Sequence, residues 1–121
     1  MRAVRDSNNT IGQENLKFSN VDGQDAVTVI MPDNSMCPRI LRGDVLTIKR
    51  CKSAPYGSCV LIQYLGGWLI RRLMVRFEDV VFMADAKGVP PIIVPVYDAT
   101  DYILGRVVKP LRTYEEDPVC Q

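Results

Sequence analysis

A serine inside the stretch "DNSMCP" is the first feature of this sequence that is suited to chemistry. Ser35 is followed by Met36 and, two residues after the methionine, by Pro38. A serine hydroxyl becomes a nucleophile when a neighbouring base removes its proton. The chain contains no histidine, which excludes a Ser-His-Asp triad and histidine-ligated zinc. A base acting near neutral pH must therefore be Asp, Glu, Lys, Tyr or Cys.

The four cysteines, Cys37, Cys51, Cys59 and Cys120, are the other reactive side chains. No two of them form a CxxC pair, so we expect no metal site and no cofactor. Cys37 is an alternative nucleophile, but without a histidine to activate it we expect an ordinary cysteine. The start of the chain lacks the apolar core of a signal peptide, and no apolar run reaches the ~20 residues that span a bilayer. We therefore expect a cytoplasmic protein with reduced thiols and no membrane contact.

The overall charge is nearly balanced. The chain has 121 residues, a net charge of +1 and 47% hydrophobic residues, which is typical of one soluble globular domain. Such a charge provides no general electrostatic attraction to nucleic acid. Contact with DNA would need a local basic patch or a part of the protein outside this sequence.

The elements that must position these residues are predicted to be mostly β-strands. We divide the chain into a polar tail or linker over 1–25, a domain over 26–114 and a flexible end over 115–121. The only helical piece expected is a turn at 35–40. Most strands are apolar on both faces, which predicts two packed sheets or one sheet whose outer face meets a partner. Seven runs read as strands: 26–31, 44–50, 58–65, 68–77, 79–84, 91–96 and 102–108.

Gly66 and Gly67 separate two of these runs and predict a two-residue hairpin turn. In that register Ile62 faces Arg71. Because side chains alternate along a strand, Arg71 and Arg72 point to opposite faces, both in apolar surroundings. Either both arginines extend their charged ends into water, or one of them reaches a polar site.

Four stretches in order resemble the C-terminal domain of LexA and of phage CI-type repressors. They are "DNSMCP", "LRGDVLTIKR", "GSCVLIQYLGGWLIRRL" and "YILGRVVKPL", and the resemblance covers roughly residues 26–113. It implies a mostly β fold of packed twisted sheets, dimerisation, and a serine–lysine dyad that cuts a peptide bond in the protein's own linker. Ser35 matches the nucleophile position, and Met36, Pro38, Gly43 and Asp44 match the motif and turn. The family pairs through its closing strand, which implies an interface at Leu104, Val107, Val108 and Leu111; the alternative is that these four residues are ordinary core.

The sequence departs from this family at the base. The position of the lysine, 36 residues after Ser35, is occupied by Arg71. Arginine keeps its proton even when it is buried, so it cannot act as the general base. No Ala-Gly or Cys-Gly pair, the usual cleavage site of the family, occurs before Ser35. Lys49 and Lys52 are alternative bases in a relocated dyad.

Two further roles have a structural alternative. Ser35 is suited to shaping the turn that precedes "MCPRI", and with arginine at the lysine position we favour this role over catalysis. Asp44 either braces the turn at Gly43 or is a solvated carboxylate.

Three functions follow from these observations. The first is the oligomerisation and regulatory domain of a phage-type transcriptional repressor. It would form a homodimer or higher homo-oligomer, reach operator DNA through a domain preceding residue 1, and be inactivated by an antirepressor protein. The second is a self-cleaving serine peptidase that uses Ser35 with a non-standard base. The third is a stand-alone protein that blocks a related repressor by forming mixed dimers.

Overall fold

A computed structural model describes residues 16–21 and 23–109 of the chain. This part is mostly β, as the sequence predicts, and contains eight strands and one short 3-10 helix, Val96–Asp101. Each of the seven predicted strands is present. The strands are β1 (Ser19–Val21), β2 (Gln24–Ile30), β3 (Val45–Arg50), β4 (Cys59–Tyr64), β5 (Gly67–Arg76), β6 (Asp79–Met83), β7 (Ile92–Pro95) and β8 (Ile103–Lys109).

The eight strands form one antiparallel sheet in the order β1-β2-β3-β8-β4-β5-β6-β7. The last strand therefore lies in the middle of the sheet and joins β1–β3 to β4–β7. The sequence did not predict β1, which lies inside the expected tail over 1–25 and pairs with β2. The predicted tail over 115–121 lies outside the described residues.

Apolar side chains on both faces of the sheet form two separate clusters, and β4 contributes to both. Cys59 and Leu61 belong to the first cluster, whereas Val60 and Ile62 belong to the second. Because both faces of this strand are buried, it shows no alternation of polar and apolar residues. The first cluster contains Val27, Val29, Met31, Met36, Ile40, Leu46, Ile48, Cys59, Leu61, Ile70 and Val107. The second contains Val60, Ile62, Leu73, Val80, Phe82, Val94, Ala99 and Ile103.

The hairpin between β4 and β5 differs from its predicted register by two residues. The turn residues are Leu65 and Gly66, with φ of 51° and 83°, and Gly67 is the first paired residue of β5. A two-residue hairpin turn of this type needs positive φ at both positions. Leu65 takes this conformation with its side chain 89% exposed.

The shift by two residues leaves every side chain on the face that the sequence predicted, since strand alternation has a period of two. Val60 now faces Arg71, and Cys59 faces Arg72. Arg71 and Arg72 therefore lie on opposite faces of β5, as expected.

Candidate functional site

The loop between β2 and β3 places Ser35 at the surface of the first apolar cluster. Met31, Met36 and Ile40 are 0–1% exposed and hold this loop against the sheet. The predicted helical piece is one hydrogen-bonded turn, in which the Ile40 N–H donates to the Met36 carbonyl at 3.0 Å. Pro38 is half-buried within it. Burial of apolar residues on either side of Ser35 therefore determines its position.

The base of the loop is closed by the Gly43–Asp44 turn. The Asp44 carboxylate accepts the Leu41 N–H at 2.8 Å, and the Asp44 N–H donates to the Leu41 carbonyl at 3.0 Å. Met31 bonds to this turn on both sides, because its N–H donates to Asp44 O and its carbonyl accepts from Gly43. Gly43 adopts φ of 91°, a conformation that glycine takes without strain. Asp44 thus braces the turn instead of being a solvated carboxylate.

Arg71 reaches this loop from the middle of β5. Its Nη1 donates to Ser35 Oγ at 3.0 Å and to the Ile70 carbonyl at 2.8 Å. The two side chains are buried, with Ser35 8% and Arg71 7% exposed. Of the two neighbouring arginines, Arg71 is the one that reaches Ser35. Arg72 instead forms an ion pair with Asp85.

Asp33 is the second partner of the serine. Its Oδ1 accepts the Ser35 hydroxyl at 2.7 Å and the Ser35 N–H at 3.0 Å. The hydroxyl therefore gives its only proton to a carboxylate and accepts a hydrogen bond from a guanidinium. The sequence patterns did not single out Asp33, although an aspartate two residues before a serine is a common source of such a turn.

The electrostatics of the site are those of a buried cation with one carboxylate nearby. Burial lowers the pKa of Arg71, and the negative charge of Asp33 opposes this effect. Because the ordinary pKa of arginine is so high, Arg71 remains a cation at neutral pH and can only donate hydrogen bonds. Within the described part of the chain, no lysine donates to or accepts from Ser35. Lys49 and Lys52, the alternative bases, are both exposed.

The interface expected from the family lies on β8, an internal strand bonded to both β3 and β4. Val107 is 2% exposed in the first cluster and has no surface to offer a partner. Leu104 is partly buried against the same cluster, and Val108 is half-buried. Leu111 lies outside the described residues. Val107 is therefore an ordinary core residue, which was the alternative to an interface role.

The cysteines are not all reduced. Cys37 is disulfide-bonded, so the expectation of reduced thiols is wrong for it, and it is not a free thiol nucleophile. Sequence spacing cannot reveal such a bond, because it depends on which sulfur atoms the fold brings together. Cys51 and Cys59 are free thiols whose pKa is raised by burial and pulled down in part by arginines.

Comparison with known protein families identifies one that covers most of the chain. The Peptidase S24-like family matches residues 3–108 of the chain. No curated protein matches it. Across residues 16–21 and 23–109, no set of three or more Cys, Asp or Glu side chains is arranged to hold a metal ion. The same residues contain no helix with the length and apolar character needed to cross a membrane.

Proposed function

The chain belongs to the Peptidase S24-like family, and from this premise we propose that it is the regulatory and oligomerisation domain of a phage-type repressor that does not cut itself. The observation that carries the proposal is the hydrogen bond from Arg71 Nη1 to Ser35 Oγ. A donor occupies the position where a serine–lysine dyad needs a proton acceptor.

The geometry explains why the serine would be inactive. A neutral lysine can take the proton of a serine hydroxyl, whereas a guanidinium has five N–H donors and no acceptor. The acceptor that Ser35 does have is Asp33. A carboxylate is a weak base towards a hydroxyl group, so its hydrogen bond orients Ser35 more than it activates it.

A repressor domain without peptidase activity keeps a function through assembly. Two linked DNA-binding domains read paired half-sites with higher affinity than one, so a dimerising domain raises affinity without any chemistry. In this proposal the chain forms a homodimer or higher homo-oligomer, and Leu104 and Val108 are the contact residues on the closing strand. Operator DNA is bound by another domain. An antirepressor protein replaces self-cleavage as the means of inactivation.

A second function rests on the Asp33–Ser35 hydrogen bond of 2.7 Å. If Asp33 serves as the base and Arg71 stabilises the serine oxygen as it becomes negative, the chain is a self-cleaving peptidase with a non-standard base. Only the second function produces a pair of cleavage fragments, which can be measured.

Intact-mass spectrometry after incubation at pH 7 and at pH 10 separates the two functions. We expect only the mass of the whole chain at both pH values, because Arg71 cannot accept a proton. Ser35→Ala is the matched control, since it removes only the hydroxyl group. Fragments that appear in the parent and are absent from Ser35→Ala would overturn the proposal, and their loss in Asp33→Asn would identify the base.

A gain-of-function variant tests the same reasoning from the other side. Arg71→Lys combined with Ile11→Ala, which places an alanine before Gly12, supplies both missing features. We expect Ser35-dependent cutting at pH 10, where a partly buried lysine loses its proton readily.

Sedimentation analysis of the parent protein tests assembly, and a monomer at tens of micromolar would contradict the oligomeric part of the proposal.

A further inference from the structure

A surface pocket of about 520 Å³ opens where the start of β2 and the end of β3 lie beside the middle of β8. None of its lining residues belongs to the group formed by Asp33, Ser35 and Arg71. Among residues 16–21 and 23–109, its charged lining consists of Lys49, Arg50, Arg106 and one carboxylate, Asp25. The three cations and one carboxylate give this lining a net charge of +2, in a chain whose net charge is only +1.

The one carboxylate is already engaged. Arg50 Nε donates to Asp25 Oδ2 at 3.2 Å, and the Arg50 guanidinium lies 4.2 Å from the centre of the Phe18 ring. These two contacts hold Arg50 in place and use the negative charge of Asp25. In the described part of the chain, Lys49 and Arg106 have no ion-pair partner.

Lys49 and Arg106 are direct cross-strand partners in the β3–β8 pairing. Like charges placed directly opposite each other in a sheet repel and destabilise the pairing. Among residues 16–21 and 23–109, neither side chain has a hydrogen bond or an ion pair. An anion between them would replace this repulsion by attraction on both sides.

We propose that this pocket binds a phosphate group, carried either by a nucleic acid backbone or by a free nucleotide. Arginine matches the oxygen geometry of phosphate with paired N–H donors, and lysine adds a compact charge. Ser53 and Gln24, which also line the pocket, supply neutral hydrogen-bonding groups. The inference goes beyond the repressor proposal and does not depend on whether Ser35 is active.

The electrostatic environment of a neighbouring thiol is consistent with this inference. Burial raises the pKa of Cys51, which lines the pocket, while the positive charge of Arg106 opposes that rise. Arg106 therefore lies close enough to the Cys51 thiol to influence its ionisation.

The test measures binding of three probes at low salt to the intact protein. The probes are inorganic phosphate, ATP and a double-stranded oligonucleotide of mixed sequence. Their binding is measured by calorimetry and by fluorescence anisotropy. The pocket variant is Lys49→Gln with Arg106→Gln. The matched control is Arg76→Gln with Lys87→Gln, which removes the same charge from exposed positions outside the pocket.

We expect at least tenfold weaker binding in the pocket variant and less than twofold in the control. Asp25→Asn should strengthen binding several-fold, because the competing carboxylate is gone. If the oligonucleotide is the ligand, two uncompensated cations predict a slope of about −2 in log K against log salt. Binding of ATP and phosphate without the oligonucleotide identifies a free nucleotide as the source.

Two results would overturn the inference: no binding of any probe, or equal loss in the pocket and control variants. A folding control accompanies the binding data. The pocket variant should have a melting temperature no lower than that of the parent, since it removes a repulsive pair. Either failure would leave the proposal for Ser35 and Arg71 untouched.

Discussion

The hydrogen bond between Arg71 and Ser35 predicts a measurable coupling between the two side chains. We consider the variants Ser35→Ala, Arg71→Met and the double variant, whose free energies of unfolding form a double-mutant cycle. The bond is 3.0 Å long, its donor is charged, and its two residues are 7% and 8% exposed. A buried hydrogen bond to a charged group contributes about 1.5–3 kcal/mol, so we expect a coupling energy in that range.

The single variants should differ in a defined way. Ser35→Ala removes the partner of a buried cation and leaves Nη1 with only the Ile70 carbonyl. Arg71→Met also removes Nε, a buried atom that has no hydrogen-bond partner. Burying a cation with an unpaired N–H costs desolvation free energy, and Arg71→Met removes that cost. The variant should therefore lose less stability than the sum of the hydrogen bonds that it breaks.

Urea unfolding followed by the fluorescence of Trp68 measures the cycle, since this residue packs against the first cluster. The slope of free energy against urea should be the same in all four proteins. The matched control is the cycle of the exposed pair Arg50–Asp25, for which about 0.2–1 kcal/mol is expected. A coupling for Ser35 and Arg71 no larger than that of the control pair would refute the reasoning.

Two further predictions concern the sheet and a buried thiol. Gly105→Ala should destabilise by about 1–3 kcal/mol in urea unfolding, because the added Cβ would lie 2.6 Å from the Ile48 side chain and from the Lys49 carbonyl. Gly67→Ala, with open space around it, should stay within about 0.5 kcal/mol of the parent, and equal effects would contradict the close approach. Burial raises the pKa of Cys59, so folding favours its protonated form and stability should fall as pH rises above about 8.5. Unfolding curves from pH 7 to 10 should show a shallower fall in Cys59→Ala.

Local sequence patterns were sufficient to predict most of the strands. Apolar runs bounded by Gly, Pro and Asp identify seven of the eight described strands, because periodicity and turn residues act over a few neighbouring positions. The strand that was missed, Ser19–Val21, has only three residues, is polar at two of them and is held by its pairing with β2. The predicted hairpin register was wrong because the Gly-Gly pair does not reveal which two residues form the turn, and Leu65 takes a positive φ together with Gly66.

The candidate site was also predictable only in part. The sequence by itself determined that no histidine is present, which excludes a histidine base, and that Arg71 follows Ser35 by 36 residues. It also left Asp44 with two roles, between which the Leu41 hydrogen bond decides. The identity of the residue at a position is covalent information, available without any fold.

Only the tertiary structure decided which side chains meet. Ser35 and Arg71 are 36 residues apart and come together through the loop on the first cluster. Lys49 and Arg106 become neighbours because β8 inserts beside β3. The net charge of +1 does not indicate a cationic pocket, because its residues come from strands that are distant in the sequence. Long-range contacts depend on how the whole core packs, and no local sequence pattern contains that information.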